Sequence, residues 1–279
     1  MVNNAFNKSG FASTDDLTSP EYLKCLSALE EQQEQFLAIN PHSSQYIWPK
    51  DSLHTWSRIW EYPYVYHHLM NLQRQNRLPV GSLVMDFGCG VTFFPFVLAR
   101  LGFQVLCLDN DPVCIRDLQH AAERLTAGAL VGSRLMSGEL LPVESGSVRC
   151  IYSVSVLEHL GEPASIIAEL ARVLTRDGTL VMTIDVDMTG SDHGIGVARY
   201  GRLIQAIQRE FDFDMPHVPT HPLALNSRGG QYPMRSALSG WRAVLFELKQ
   251  QVAKPLLGRT PTTWPHLACE GFVLRKRRE

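Results

Sequence analysis

The 279-residue sequence predicts an α/β fold: a largely parallel sheet with helices on both faces, a helical layer before it and a helical insertion after it. Three observations predict it. From about residue 80, short apolar runs alternate with segments whose apolar residues recur at helical spacing. The first of these runs ends in an acid and two glycines, Asp86-Phe87-Gly88-Cys89-Gly90, and a helical pattern follows at once. Ahead of residue 80 lies an aromatic-rich stretch with no strand alternation.

Taken in order, residues 1–18 are polar and aperiodic and read as frayed. Ser19-Pro20 is an N-cap and first helical residue, opening a helix to about 39 that Asn40-Pro41 ends. Trp56, Ile59, Trp60, Tyr62, Tyr64 and Tyr66 follow at a helical rhythm expected to break at Pro63 and resume through Leu72. The alternating core comes next: strands near 83–87 and 103–108, a helix capped by Asp111-Pro112, a short strand near 133–136, and a strand over 148–154. A helix from Pro163 is expected to stop at Gly178, before a strand over 179–186. Amphipathic helices are expected near 196–211 and 236–252, separated by a long loop over 217–233, with a last strand over 267–274. The expected division is 1–78 for the N-terminal layer, 79–187 for the core, 188–266 for a lid-like insertion and 267–279 for the last strand and basic tail.

Bulk properties narrow the function. A hydrophobic content of 45% with 19% charged residues is that of a soluble globular chain, and a net charge of −2 provides no global attraction for nucleic acid or anionic membrane. The six cysteines are scattered without a Cys-x-x-Cys pair, which points to a reducing compartment and against a disulfide framework. No apolar run reaches membrane-spanning length and no signal-peptide pattern is present, so a cytoplasmic monomer or homodimer is expected.

The chemistry should gather where the core strands end, because ligands of open parallel sheets bind beyond the carboxyl ends of the strands. Gly88 and Gly90 can adopt positive φ and let a ligand approach the backbone, and Asp86 before them can accept a hydrogen bond from a ligand amine. Asp109, about 20 residues on at the end of the second strand, is placed to take both hydroxyls of a ribose through charge-assisted hydrogen bonds. Ser153 to His159 and Asp185-Val186-Asp187 reach the same edge.

Together, Val84-Met85-Asp86-Phe87-Gly88-Cys89-Gly90, the acid in Leu106-Cys107-Leu108-Asp109-Asn110, and Ser153-Val154-Ser155-Val156-Leu157-Glu158-His159-Leu160 resemble the class I S-adenosylmethionine (SAM)-dependent methyltransferases, most closely their small-molecule "type 11" group. The resemblance covers residues 80–187 and implies a Rossmann-like sandwich with an antiparallel last strand. It implies SAM as cofactor, with Asp86, Gly88 and Gly90 at its methionine part, Asp109 on the ribose, Asn110 beside the adenine and Ser153 facing the methionine moiety. The family's adenine-contacting acid aligns with Ser137, followed by Gly138, so either Ser137 makes that contact or Glu139 replaces it.

SAM carries an electrophilic methyl group, so the protein's task is to orient an acceptor, exclude water and, for a hydroxyl, take up a proton. His159 is the candidate base, and Asp185 and Asp187 share one strand face toward the acceptor. Trp56, Arg58, Tyr62, Glu158 and His193 are candidate acceptor-binding residues, and no metal is expected. The acceptor is expected to be a small molecule or short peptide, with oxygen favoured over nitrogen or carbon and natural-product tailoring as one setting. Nucleic acid and membrane are not expected as partners. Two rival readings are an NAD(P)-dependent oxidoreductase and a non-catalytic SAM-binding interaction protein. The first is disfavoured by Phe93, where the dinucleotide fingerprint needs a small residue.

Overall fold

The computed structural model describes residues 6–137, 140–188, 193–221 and 223–228, and beyond them 231–232, 234, 241–249, 252, 254–257 and 266–278. Strands β2 (Leu83–Phe87), β3 (Gln104–Asp109), β4 (Val131–Leu135), β5 (Val148–Val154) and β6 (Leu174–Asp187) are parallel and lie in the order β4-β3-β2-β5-β6. The chain leaves β2 toward β3 and β4, then crosses back to β5 on the other side. This reversal opens a crevice between the carboxyl ends of β2 and β5. Strand β9 (Leu267–Lys276) runs antiparallel beside β6, as the family resemblance implies.

Apart from the edge strand β4, the parallel strands are buried on both faces, which is why they read as nearly continuous apolar runs. On one face α1 (Pro20–Ala38), α2 (Arg58–Arg74), α3 (Phe94–Arg100) and α4 (Pro112–Arg124) pack over Val84, Cys107, Tyr152, Val181 and Cys269. On the other, α5 (Pro163–Val173) and α6 (Val197–Glu210) pack over Met85, Ile151, Leu180 and Phe272. Ser19 accepts the Tyr22 N–H at 3.2 Å and Asp111 the Val113 N–H at 2.8 Å, so both expected N-caps form. All six cysteines are free and buried.

Four expectations are corrected. Residues 6–18 are ordered into the fold. Phe6 is fully buried, with its ring centroid 5.9 Å from those of Trp60 and Tyr64, and β1 (Ser9–Phe11) pairs antiparallel with β9. The polarity of this segment misleads because its charge is satisfied internally: buried Asp16 accepts from Lys8 Nζ at 3.0 Å, Ser13 N at 2.9 Å and Trp60 Nε1 at 2.9 Å. The helix does not break at Pro63. α2 runs through it unbroken, because burial of Trp60, Tyr64, Val65 and Leu69 offsets one missing N–H. Gly271 of β9 allows this close packing, since a Cβ there would lie 2.6 Å from Tyr64 Cε1.

Helix α5 ends at Val173 rather than Gly178, because Leu174 turns to extended backbone and already pairs with Val148. The insertion is not wholly a lid. α6 belongs to the second helical layer, where Leu203, Ala206 and Ile207 join the core. β7 (Phe211–Phe213) pairs with β9, and β8 (His217–Val218) with β1. The loop expected over 217–233 is likewise tied down where it is described, with Leu225 and Ser227 buried. Of the last expected helix, α7 (Trp241–Leu248) is described, and Leu238 lies outside the described residues.

Candidate functional site

The Gly88–Gly90 turn leaves β2 at the crevice. Gly88 has φ +74°, and its N–H donates to Leu108 O at 2.8 Å. A Cβ on Gly88 would lie 2.4 Å from Val156 Cγ2, so the loop passes the end of β5 with no room for a side chain. Gly90 has φ +54°, and its N–H donates to Asp109 Oδ2 at 2.8 Å. The N-terminal layer braces the loop from outside: His42 Nε2 is 3.0 Å from Val91 O, and the Tyr62 ring lies 5.3 and 5.2 Å from those of Phe93 and Phe94.

Two acids serve this loop. Asp86 is 4% exposed, and burial pushes its carboxyl up to about 8; the nearby Tyr152 hydroxyl counters this only in part. Asp109 ends β3 with Oδ1 on the Asp111 N–H at 2.9 Å and Oδ2 on the Gly90 N–H, and each oxygen keeps capacity for a second donor. Burial raises its pKa too, against those two N–H bonds.

A second group of acids sits on the same sheet face, beyond β5 and β6 and beneath the start of α2. Glu61 is fully buried; Arg58 Nη1 donates to its Oε2 at 2.5 Å and Ser155 Oγ to its Oε1 at 2.6 Å. Burial pushes Glu61 up, but Arg58 and the hydroxyl outweigh it and hold it below its ordinary value. Ser155 carries this bond at φ +48°, a strained conformation for a residue with a side chain. Glu158 is 5% exposed, and its Oε1 accepts the Asp185 N–H at 3.3 Å. Burial first, and carboxylate neighbours second, raise both Glu158 and Asp185 above their ordinary values. Arg199 of α6 fixes the turn that carries Glu158, donating to Glu158 O at 3.1 Å and to Leu160 O.

Of the residues expected to hold cofactor, Asp86, Gly88, Gly90 and Asp109 come together at the crevice, and Asn110 and Ser137 lie exposed beside it along the chain. Gly138 and Glu139 lie outside the described residues. Ser153 does not face the cofactor side with a free hydroxyl. It is fully buried and donates to Phe87 O at 3.0 Å, stapling β5 to the end of β2.

Of the residues expected on the acceptor side, Arg58, Glu158 and Asp185 converge. His159 stands exposed at the rim with its ring 6.3 Å from Trp48, and desolvation with Arg58 and Arg199 nearby lowers its pKa. Asp187 follows Asp185 on the same face and is 4% exposed. Trp56 is buried in the core cluster rather than presented to the crevice, Tyr62 is buried against Phe93, and His193 is exposed.

Sequence reasoning missed Glu61 and Ser155. The one available signal was the lone acid in Ile59-Trp60-Glu61-Tyr62-Pro63-Tyr64-Val65, an apolar aromatic run that can hide a charge only if the fold pairs it.

Residues 85–182 match the family model of a methyltransferase domain. This segment is a class I SAM-dependent methyltransferase domain. The chain is 33% identical over 106 residues to a ubiquinone biosynthesis O-methyltransferase of Xanthomonas axonopodis pv. citri, covering 38% of this chain and 44% of that one. The chain therefore aligns with less than half the length of the curated relatives it matches. Among solved structures, the [4+2]-cyclase SpnF superposes with a TM-score of 0.55 at 15% identity, covering 97% of this chain and all of that one. YcgJ from Bacillus subtilis superposes at 0.50 with 14% identity, covering 76% of this chain and 99% of that one. These likenesses show the fold. The cofactor of the methyltransferase domain is SAM, and the acid–glycine loop fits it: a buried carboxyl, a glycine with no room for a Cβ, and a second acid with spare acceptor capacity.

Proposed function

We propose that this chain transfers a methyl group from SAM to an oxygen of a small molecule or short peptide. The observation that carries the reading is the placement of two different acidic centres along one crevice: Asp86 and Asp109 around the glycine loop, and Glu61, Glu158 and Asp185 beyond β5 and β6. The first set suits a ligand with an amine and a ribose. The second lies one loop away, through Val156 against Gly88, and suits an acceptor.

SAM would supply an electrophilic methyl group, held by Asp86, Gly88, Gly90 and Asp109. The chain's own residues then orient and shield. The N-terminal layer closes the outer side of the glycine loop through His42, Tyr46 and Tyr62. Arg58, Glu158 and Asp185 present polar groups toward the acceptor side. His159 at the rim, its pKa lowered, is neutral at pH 7 and can accept a hydroxyl proton, a contribution of about 10²–10⁴-fold. Oxygen is favoured because the curated relatives are named O-methyltransferases, and because a carboxylate or deprotonated hydroxyl needs no further activation.

Calorimetric titration with S-adenosylhomocysteine and with NAD tests the cofactor, and transfer from methyl-labelled SAM into small-molecule extract tests the reaction. Binding of S-adenosylhomocysteine with labelled product supports the proposal. NAD binding without S-adenosylhomocysteine binding overturns it in favour of an oxidoreductase, and cofactor binding with no labelled product favours a non-catalytic role.

A further inference from the structure

We propose that Glu158 and Asp185, beside the Arg58–Glu61 pair, form a subsite for a protonated amine on the methyl acceptor. This rests on the methyl-transfer reading and narrows its substrate class.

The charges and hydrogen bonds at the site support it. Three carboxyl groups share one guanidinium. Both oxygens of Glu61 are engaged, Oε2 by Arg58 and Oε1 by Ser155, so the Arg58 charge is matched within that pair. Glu158 and Asp185 have no such partner. Glu158 is only 5% exposed, and its Oε2 has no hydrogen-bond partner among the described residues. Asp185 Oδ1 is likewise buried and unpartnered, and the two residues are joined by the Asp185 N–H on Glu158 Oε1 at 3.3 Å. Buried carboxyl oxygens without donors are costly and burial favours their neutral form, so a donor-rich, positively charged group beside both would supply the missing hydrogen bonds and let them ionise.

An ammonium fits this requirement, with three N–H donors, no acceptor and a single charge. A divalent cation fits less well. Glu61, Asp185 and Cys269 do place ligand atoms within 4.8 Å of one another, but both Glu61 oxygens are already taken, by Arg58 and Ser155, which leaves that set without one of its carboxylate ligands.

The position is also suitable. Glu158 lies two residues beyond Val156, which packs against Gly88, so the subsite adjoins the methionine loop on its acceptor side. An amine held as an ammonium has no lone pair for the methyl group. The acceptor atom must then be another group of the same molecule, which agrees with transfer to oxygen.

The test uses the whole chain saturated with S-adenosylhomocysteine and labelled with ¹³C at Asp and Glu carboxyl carbons. Butylammonium chloride and n-butanol are titrated separately while the carboxyl signals are followed. Butylammonium is expected to shift signals that vanish in Glu158→Gln and Asp185→Asn, with an affinity at least about tenfold above that of butanol. Each variant should lose that preference and keep its S-adenosylhomocysteine affinity within about twofold. Equal responses to the two probes, or a preference surviving in both variants, would overturn the proposal. So would Mn²⁺ broadening the same signals at lower concentration than butylammonium shifts them. Should either variant lose cofactor binding, the wild-type titration decides by itself. Absence of S-adenosylhomocysteine binding by the wild type would instead refute the methyl-transfer reading, and the amine titration on the free chain still reports separately on the subsite.

Discussion

Arg58→Met removes the guanidinium while keeping most of the apolar stem. It leaves Glu61, fully buried, with the Ser155 hydroxyl at 2.6 Å in place of an ion pair at 2.5 Å. Breaking a buried pair from one side typically costs about 3–5 kcal/mol. The Arg58 side chain is 27% exposed, which weakens the pair by solvent screening and sets the expectation at the lower end, about 3 kcal/mol.

The pH dependence gives the sharper check. In the wild type, Glu61 titrates below its ordinary value, so the contribution of the pair is present above the unfolded pKa and fades as pH falls through the folded one. In the variant, burial is no longer outweighed and the Glu61 pKa lies above its unfolded value. The penalty is then complete at high pH and relieved by protonation as pH falls. Urea unfolding at pH 8 and pH 5 should therefore show a gap between variant and wild type that shrinks by at least about 1 kcal/mol at the lower pH. Arg58→Met/Glu61→Gln should recover most of the loss. A gap independent of pH, or a double variant no more stable than the single one, refutes the reasoning.

Three further outcomes follow from the geometry. With its carboxyl pushed up to about 8, Asp86 is protonated at pH 7, so binding a cofactor ammonium beside it should release close to one proton. Calorimetry in buffers of different ionisation enthalpy measures this; Asp86→Asn should release none, and a wild type that releases none removes Asp86 from the ammonium. Gly88→Ala should cost about 2–4 kcal/mol and abolish S-adenosylhomocysteine binding, because the new Cβ meets Val156 at 2.4 Å at positive φ. Gly90→Ala, whose Cβ meets nothing closer than Tyr46 Oη at 3.7 Å, should cost only about 1 kcal/mol, so equal losses in thermal unfolding would contradict the close-approach argument. Trp60→Phe takes a donor from buried Asp16 and should destabilise the chain by about 1–3 kcal/mol, with loosened amide-exchange protection in β1; unchanged protection there would show that the indole bond does not hold the N-terminal segment.

The parts of the site legible in the sequence were those whose signal is local. Asp86, Gly88, Gly90 and Asp109 stand at the ends of β2 and β3 in short runs, where strand, turn and helix punctuation are read from neighbours along the chain. Ser153 was placed correctly at the end of a strand, but not its hydroxyl, which is spent on Phe87 O 66 residues away. The second acidic group was only half legible. Glu158 and Asp185 could be picked out as acids at strand ends, whereas Glu61 looked like one more residue of an aromatic helix.

The N-terminal segment failed for the same reason in reverse: its polar residues look solvent-exposed until Trp60 and Lys8 are found on Asp16. By itself, then, the sequence determined the alternating core, its caps, its glycine turn and the acids that flank that turn, because helix and strand periodicity, capping and positive φ act over a few residues. Only the tertiary structure decided that α2 continues through Pro63, that residues 9–11 join the sheet, and that Glu61, Glu158 and Asp185 meet around a single arginine. Burial, charge pairing and strand pairing bring together residues as far apart along the chain as Ser9 and Val273, and no local pattern records them.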